Sequence, residues 1–414
     1  MLRNSRIVCL LVCGFFLSED QCLADRGTPW NRHVVDNSSR GADGVRVADV
    51  NGDGLKDFVT GWEEGGRIRV CLNPGPGKAT KLWPSVTVGK VRSPEDAVFV
   101  DLDGDGAIDV VSCCEGRERT VFVHWAPKDQ GNYLDPQAWT TQPLPASLKK
   151  QSWMYCLPLQ VDGKHGVDLI VGSKGKNASI GWFEAPKNPR NLADWKWHKI
   201  NPVGWIMSLV ANDIDGDGDL DIVITDRKGS LRGCRWLENP GPGNAQKNPW
   251  RSHYIGGAGM EVMFLAAVEW NADKRTDYAM AVKGKGLLLL IRTPSKSPSW
   301  KSVSIPLPAN TGTAKAAHIA DFNLDGKPDI VFTCENSKGK SGAMWLEKRT
   351  AKRSNKIEWI PHEISGTKQG VKFDLIQLLD LDGDGDLDII TCEERDNLGV
   401  IWYENPTRKP KESR

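Results

Sequence analysis

Carboxylate side chains recur in short runs along this chain, and one such run is DLDGDGDLD, residues 380–388. Carboxylates at positions 1, 3, 5 and 9 of a nine-residue loop, with glycine at position 6, can converge on one hard cation. An oxygen-only shell of this kind suits Ca²⁺, which tolerates irregular, carboxylate-rich coordination better than Mg²⁺ does. Without a cation the same carboxylates would repel one another. The run therefore predicts a Ca²⁺ loop, and the β-branched residues after it predict a strand, unlike the helix of an EF-hand.

The same pattern is complete at five places, which start at residues 49, 101, 213, 321 and 380. We expect about five structural Ca²⁺ sites, and the predicted ligands are Asp49, Asn51, Asp53, Asp57, Asp101, Asp103, Asp105, Asp109, Asp213, Asp215, Asp217, Asp221, Asp321, Asn323, Asp325, Asp329, Asp380, Asp382, Asp384 and Asp388. Residues 269–277 keep the oxygen ligands but lose the glycine, so this loop is a candidate sixth site. Residues 160–168 carry Lys164 at the central position, where its ammonium group would replace the metal.

The spacing of these seven loops indicates a repeat architecture. They start at residues 49, 101, 160, 213, 269, 321 and 380, so successive starts lie between 52 and 59 residues apart. A period near this value fits one four-stranded propeller blade and is too long for a helical-pair repeat. The loops therefore predict seven blades.

Strand signatures around each loop complete the blade. Each loop lies between two apolar strands, a third strand carries a Trp, as at Trp236, and a fourth strand opens on another, as at Trp250. Only six fourth strands follow a third strand; the seventh, near Trp30, begins the mature chain, and the chain ends on a third strand at Trp402. Pairing the first strand with the last would close the ring and remove its open edges. We predict an all-β, seven-bladed β-propeller over residues 25–406, closed by the N-terminal strand completing the last blade.

The chain ends and bulk composition limit the class of protein. Residues 1–24 have the charged start, apolar run and small-residue end of a secretory signal, so we expect a secreted, periplasmic or cell-surface protein. Residues 407–414 form a short polar tail. With 54 Lys and Arg against 53 Asp and Glu, no net field points to nucleic acid. No later segment is long enough to span a membrane, and we expect a monomer.

Cysteine usage argues against a zinc site. Seven of the ten cysteines lie after the signal, an odd number without C-x-x-C spacing. A full disulfide framework is therefore not expected, although one pair could bridge.

The loops and strands resemble the FG-GAP/VCBS repeat family, whose best-known member is the β-propeller head of integrin alpha subunits. The resemblance covers essentially the whole mature chain and rests on the D-x-[DN]-x-D-G-x-x-D loop followed by an aliphatic strand. The Phe-Gly and Gly-Ala-Pro flanks of the family are poorly kept, with nearest matches at residues 172–173 and 204–206. The resemblance implies a secreted, bacterial-type protein in which Ca²⁺ stabilises a binding or scaffolding module, more often than an enzyme.

Function is expected at the opposite end of the ring from the metal loops. The loops have no open position for a substrate, so they are expected to act as structural staples. Because each loop joins the first and second strands of a blade, the residues after second strands and before first strands must surround the far mouth. The candidate ligand-binding residues there are Trp62, Glu63, Glu115, Trp153, Lys174, Trp205, Asp226, Arg227, Lys283, Lys315, Glu335 and Glu393.

Carboxylates, cations and aromatics converging on a funnel suit a polar ligand such as a saccharide, although charged loop ends are also an ordinary protein surface. The chain has neither G-x-S-x-G nor H-E-x-x-H, and no catalytic residue is assigned. The sequence thus favours a non-catalytic module that binds a glycan or an extracellular protein. The alternatives are a polysaccharide lyase or glycoside hydrolase, with an acid–base pair among the funnel glutamates, and a purely structural module.

Overall fold

The structure is a computed structural model that describes residues 26–247, 249–295, 297–351 and 356–408. The described residues form seven four-stranded antiparallel sheets arranged in a ring, so the predicted seven-bladed β-propeller is confirmed. The predicted secretory signal lies outside the described residues, as do residues 409–414 of the predicted tail. No helix in the described part of the chain is long and apolar enough to cross a membrane.

Each blade runs from an inner strand at the axis to an outer strand at the rim. Blade 1 contains β2 (Ala42–Ala48), β3 (Asp57–Trp62), β4 (Arg67–Cys71) and β5 (Ser85–Gly89). Blade 2 contains β6 (Pro94–Val100), β7 (Asp109–Cys114), β8 (Val121–Trp125) and β9 (Thr140–Pro143). Blade 3 contains β10 (Ser152–Leu159), β11 (Asp168–Lys174), β12 (Ser179–Glu184) and β13 (Lys196–Pro202). Blades 4 and 5 are built from β14 (Ile206–Asn212), β15 (Asp221–Asp226), β16 (Gly233–Glu238) and β17 (Arg251–Gly256); and β18 (Val262–Val268), β19 (Asp277–Val282), β20 (Gly286–Arg292) and β21 (Trp300–Ile305).

Blades 6 and 7 complete the ring. Blade 6 contains β22 (Thr313–Ala320), β23 (Asp329–Glu335), β24 (Ala343–Thr350) and β25 (Ile357–Glu363), and blade 7 contains β26 (Gln377–Leu379), β27 (Asp388–Glu393), β28 (Gly399–Glu404) and β1 (Asn31–Asp36). Within the described ranges, four short 3₁₀ turns lie in the loops: Pro76–Lys78, Gln130–Asn132, Pro145–Ser147 and Leu192–Asp194.

The N-terminal strand closes the ring as predicted. β1 pairs antiparallel with β28, with Asn31 opposite Glu404 and Val34 opposite Ile401. The inner strand of blade 1, β2, also contacts blade 7 through β27. The N-terminal strand thus completes the last blade, and the first blade packs against it, so the ring of described blades has no open end.

The apolar core is divided among the blades in a series of clusters rather than gathered in one centre. Large aromatic side chains fill it, among them Trp62, Trp153, Trp182 and Trp402, all fully buried. All seven cysteines of the described part are free and buried, so no disulfide contributes to the fold there. Stability therefore depends on packing between sheets and on polar contacts at the two ends of the ring.

A bulge interrupts the inner strand of most blades near one end of the axis. In β6, β10, β14 and β22 one residue is left over between the paired residues, and these residues are Glu95, Met154, Met207 and Lys315. β18 has a wider irregularity that includes Phe264. A bulge bends the strand and re-aims its extra side chain. All five of these side chains line the same central cavity.

Candidate functional site

The acidic loops all lie at one end of the blades and share one hydrogen-bond scheme. In the blade 7 loop, Asp380 at position 1 accepts the backbone N–H groups of Gly383 at 2.8 Å and Gly385 at 3.0 Å. The position 3 and 5 carboxylates accept backbone N–H groups two residues further on. The carboxylates are therefore oriented by the backbone of their own loop before any ligand binds.

The aspartate at position 9 joins each loop to the third strand of its blade. Asp388 accepts the N–H of Leu381 at 2.8 Å and, on its other oxygen, the N–H of Asn405 at 2.9 Å. The same pair of bonds is made by Asp57, Asp109, Asp168, Asp221, Asp277 and Asp329. All seven are buried. Position 9 is thus a structural link in every blade, whether or not the loop is complete.

Burial also makes these carboxyls hard to ionise. Desolvation is the main cause that raises the pKa of Asp57 to about 6, of Asp109 to about 7 and of Asp388 to about 8. The two backbone hydrogen bonds lower each pKa, and neighbouring carboxylates of the same loop raise it. A cation among the carboxylates would remove this penalty.

The donor chemistry fits a hard cation. Carboxylate oxygens from positions 1, 3 and 9 lie within 4.8 Å of one another in the loops of blades 2, 4 and 7. In blade 7 the buried Oδ2 atoms of Asp382 and Asp384 have no hydrogen-bond partner. Buried carboxylate oxygens without partners are costly unless an ion or water satisfies them.

Basic side chains hold carboxylates in four of the seven loops. Lys164 lies 2.7 Å from Asp162 in the blade 3 loop, and the replacement of a metal there by its ammonium group stays a prediction. In the other three loops Arg275 pairs with Asp273 at 2.8 Å, Lys327 pairs with Asp325 at 2.6 Å, and Arg190 reaches across from blade 3 to Asp103. The loops are therefore not equivalent.

The opposite end of the ring contains a central cavity of about 220 Å³ that receives side chains from all seven blades. Of the candidate ligand-binding residues, those that line it are Glu63, Glu115, Lys174, Trp205, Arg227, Lys315 and Glu335. Lys283 lies beside them and pairs with Glu335 at 2.9 Å. Strand direction alone therefore brings eight of the twelve residues together.

The other four residues do not reach the cavity, and their expected exposure at the mouth is wrong. Trp62 and Trp153 are fully buried in the core between blades, because the second strand and the bulged inner strand turn them inward. Asp226 is buried, pairs with Arg235 at 3.0 Å and accepts the N–H groups of residues 204 and 205. Glu393 is also buried.

Glu393 acts as an acceptor for a turn of blade 7. Its carboxylate receives the backbone N–H groups of Val371 at 3.0 Å, Lys372 at 3.1 Å and Asp396 at 2.9 Å. A carboxylate fully engaged with backbone donors has no oxygen left for a ligand. The neighbouring residue, Glu394, lines the cavity instead.

Ion pairs between neighbouring blades organise the cavity. Lys174 of blade 3 lies 3.3 Å from Glu95 of blade 2 and also contacts Glu115. Lys315 of blade 6 lies 2.5 Å from the buried Asp374 of blade 7. Each pair joins two sheets, so the cavity lining is also an interblade contact.

These pairs set the protonation of the cavity. Burial raises the pKa of Glu95 to about 8, although Lys174 lowers it, and the nearby Glu115 raises it. Burial, with Asp374 as the next cause, raises the pKa of Asp43 well above its usual range. Asp374 and Asp43 together raise the pKa of Lys315 in spite of its burial. Burial thus favours the neutral form of Glu95 and Asp43, while neighbouring carboxylates favour the charged form of Lys315.

The lining has two different halves. Blades 3, 4 and 5 contribute an apolar side, formed by Met154, Tyr155, Trp205, Met207 and Phe264. The remaining blades contribute mainly charges, and six acidic and five basic side chains line the cavity in all. Trp205 lies between two cations, 4.6 Å from Lys174 and 4.6 Å from Arg227.

The candidate set left out several of the lining residues. Those outside the candidate set are Asp43, Glu95, Met154, Tyr155, Met207, Phe264, Lys372, Glu394 and Arg395. Four of them, Glu95, Met154, Met207 and Phe264, depend on irregularities of the inner strands, which a period-two strand pattern does not reveal. Glu394 lies one residue from the predicted Glu393, so its chain region was predictable but its orientation was not.

A recurring Trp–His–Glu group lies near the acidic loops. In blade 4, His253 stacks on Trp236 with 4.3 Å between ring centroids and lies 2.8 Å from Glu238. Blades 3, 6 and 7 repeat it with His198, His362 and His33. The group joins third and fourth strands, and its repetition marks it as part of the blade.

One family model agrees with the repeat pattern over part of the chain. No curated protein matches the sequence. Similar solved structures include two crystal structures of BBS1N in complex with ARL6DN, one soaked with mercury and one with lead. They are 11% and 10% identical, with TM-scores of 0.47 and 0.49; each alignment covers 93% of this chain, and 98% and 100% of those chains. Residues 49–112, from the first acidic loop into the second blade, match the family model described as FG-GAP-like repeat.

Proposed function

We propose that this protein is an exported β-propeller, stapled by Ca²⁺ at its acidic loops, that binds a neutral, hydroxyl-rich glycan in its central cavity without cleaving it. The observation that carries the proposal is the convergence of all seven blades on one cavity of mixed charge. Export rests on the signal-like residues 1–24. The match to an FG-GAP-like repeat supports a binding or scaffold role for the fold.

The Ca²⁺ proposal is supported by the ligand atoms of the loops, all of which are oxygens. Each complete loop offers carboxylates, or one Asn carbonyl, at positions 1, 3 and 5, and a carboxylate at position 9. Backbone N–H groups already orient these side chains, so little ordering cost remains when a cation binds. When bound, the ion would neutralise carboxylates that burial otherwise drives toward protonation.

The cavity chemistry favours a neutral polyhydroxy ligand over a charged one. Six acidic and five basic side chains nearly cancel, so neither a polyanion nor a polycation is selected. The paired charges offer both donors and acceptors, which hydroxyl groups can use in either direction. The apolar side, with Met154, Met207 and Phe264, can pack against the C–H face of a sugar ring.

A second candidate, glycan cleavage, is favoured by one observation. Glu95 has its pKa raised to about 8, as a general acid requires, and lies beside Glu115. However, Lys174 contacts both carboxylates and holds them to each other. An ammonium group between the two acids blocks the space a scissile bond would need, so binding without turnover is the better account.

Binding to a glycan array, with the full chain loaded with Ca²⁺, tests the proposal. Glu335→Gln removes the pair with Lys283 and a charged, half-buried acceptor for ligand hydroxyl groups, so it should weaken binding at least about tenfold. Glu238→Gln is the matched control, because it also removes a glutamate from an ion pair but lies near the acidic loops. It should leave binding unchanged.

Three results would overturn parts of the proposal. New reducing ends or unsaturated products from a bound glycan would replace binding with catalysis. Equal losses in Glu335→Gln and Glu238→Gln would place the ligand outside the cavity. Absence of binding to every glycan would leave an extracellular protein as the ligand of the cavity or reduce the propeller to a scaffold.

A further inference from the structure

We propose that the blade 7 loop, residues 380–388, is the tightest cation site of the ring, with Asp386 as an additional carboxylate ligand and Arg408 as its cover. The inference rests on the proposal that the loops hold Ca²⁺. It adds a ligand at position 7, which the repeat pattern leaves open, and an order of affinity among loops of nearly identical sequence.

Burial distinguishes this loop from its counterparts. Asp384 and Asp386 are only 4% and 2% exposed. The residues that match Asp384 in blades 1, 4 and 6 are exposed, namely Asp53, Asp217 and Asp325. Since a cation is held more strongly where water is excluded, similar ligands should bind it more tightly in blade 7.

Unpartnered oxygens point to a missing ligand. The buried atoms Asp382 Oδ2, Asp384 Oδ2 and Asp386 Oδ1 have no hydrogen-bond partner. No other acidic loop in the described part of the chain leaves such an atom. Buried, unpaired carboxylate oxygens are rare because they are costly, so three in one loop indicate a site for a cation.

The position 7 side chain belongs to this group. The backbone N–H of Asp386 donates to Asp384 Oδ1 at 3.0 Å, so the two buried carboxylates, which can only accept hydrogen bonds when ionised, are neighbours in the loop. A cation bound by both removes their repulsion. Asp386 Oδ2 is occupied by the backbone N–H of Arg408 at 2.8 Å, which leaves Oδ1 as the ligand atom.

The segment after the last strand closes over the loop. The Arg408 guanidinium donates to the carbonyl oxygen of Gly385 at 3.1 Å, so it covers the loop without occupying its carboxylates. Thr407 fixes the segment by donating its hydroxyl to the carbonyl of Phe322 in blade 6 at 2.9 Å. On another side, a Cβ placed at Gly383 would lie 3.2 Å from Pro76 of blade 1. The loop is thus enclosed by both neighbouring blades.

Other loops have either a competing cation or an open side. A metal entering the loops of blades 2, 3, 5 or 6 must compete with Arg190, Lys164, Arg275 or Lys327. None of the five carboxylates of the blade 7 loop forms an ion pair among the described residues. The loops of blades 1 and 4 lack such a competitor too, but their central carboxylates are exposed.

Calcium titration of the chelator-treated full chain by isothermal calorimetry tests the inference. Wild type should show one tight site and a weaker class. Asp386→Asn should weaken the tight site at least about tenfold, because it removes one charge from the ligand set. Asp219→Asn is the matched control: Asp219 has position 7 in the blade 4 loop and makes the same backbone bond, N–H to Asp217 Oδ1 at 2.9 Å. It should leave the tight site within about twofold of wild type.

A second measurement separates a local effect from misfolding. Arg408→Ala leaves every carboxylate in place and should speed Ca²⁺ release from the tight site at least several-fold, since contacts outside the ligand set support a metal site. A chase with a fluorescent chelator measures the release rate. An unchanged tight site in Asp386→Asn, or an equal loss in Asp219→Asn, would overturn this inference alone. Absence of any Ca²⁺ binding to wild type would overturn the Ca²⁺ part of the proposed function as well.

Discussion

At the loop end of the ring, the position 9 carboxylates bond to backbone amides inside their own blade, whereas at the cavity end several carboxylates pair with cations of the neighbouring blade. Asp388 exemplifies the first arrangement, with two backbone N–H groups of blade 7. Asp96 of blade 2 exemplifies the second, because Arg46 of blade 1 donates to it at 2.9 Å. The same residue types therefore perform different structural tasks at the two ends.

The difference lies in repetition. The loop contacts recur in every blade with the same spacing, which is typical of a feature that stabilises the repeat unit. The cavity contacts differ from blade to blade: Lys174 contacts two glutamates, while Lys315 contacts a buried aspartate. A scaffold can use the same contact in every blade, whereas a ligand site needs different chemical groups on its different sides. Divergence among repeats therefore locates the candidate site better than the density of charge does.

Calcium removal should have the largest effect on this comparison, because it acts on one end only. A site at a hundredfold excess of free Ca²⁺ over Kd stabilises the fold by about 2.7 kcal/mol, and about five sites add to one another. We expect chelation to lower the melting temperature by on the order of 10 °C. Thermal unfolding followed by circular dichroism, with and without chelator, measures this.

Restoring Ca²⁺ in excess of the chelator is the control, and the melting temperature should return. An unchanged melting temperature would show that the loops take no cation. The comparison would then reduce to two surfaces held by hydrogen bonds and ion pairs alone.

Two position 9 aspartates provide a smaller and sharper test. Asp221 and Asp168 make the same two backbone bonds, but only Asp221 belongs to a complete loop. Replacing either aspartate by Asn leaves one backbone N–H facing the side-chain NH₂ group, which should lower the free energy of unfolding by about 2 kcal/mol. In chelator, Asp221→Asn and Asp168→Asn should lose similar free energies of unfolding, whereas in Ca²⁺ the loss in Asp221→Asn should be larger.

Urea unfolding of both variants in the two conditions measures the difference. A Ca²⁺-dependent loss in Asp168→Asn as large as that in Asp221→Asn would contradict the replacement of metal by Lys164 in blade 3. It would also remove the distinction among the loops.

The fold was predictable because its signals are local and repeated. Each nine-residue loop specifies a hairpin, and the spacing of seven copies specifies the number of blades. The Trp30 strand at the start and the Trp402 strand at the end required only counting to pair them. The structure confirms the seven blades and the strand exchange that closes them.

The cavity was predictable only in part, because its lining depends on side-chain direction. Strand polarity placed Glu115 and Lys174 at the correct end, but it also placed Trp62 and Glu393 there, which are buried. Glu95 and Lys315 face the axis because one residue of the inner strand is unpaired. A bulge is fixed by packing around the ring and has no signature in a single strand.

The last expected effect concerns a proton in the cavity. Burial raises the pKa of Glu95 to about 8 in the folded protein, above that of an unfolded glutamate. The folded state then binds more protons than the unfolded state between about pH 4.5 and pH 8, so ionising Glu95 costs stability as the pH rises. Glu95→Gln keeps the neutral shape and removes that cost. At pH 5 the variant should differ from wild type by less than about 1 kcal/mol.

The variant should gain stability relative to wild type as the pH rises from 5 to 9, measured by urea unfolding in saturating Ca²⁺ so that the loop carboxylates stay ionised. Parallel curves would mean that Lys174 keeps Glu95 ionised throughout. In that case the cavity end would hold its carboxylates as charges, as the loop end does with Ca²⁺. A relative gain would instead show that the carboxylate charge is neutralised by a proton on Glu95 at the cavity end, whereas Ca²⁺ neutralises it at the loop end.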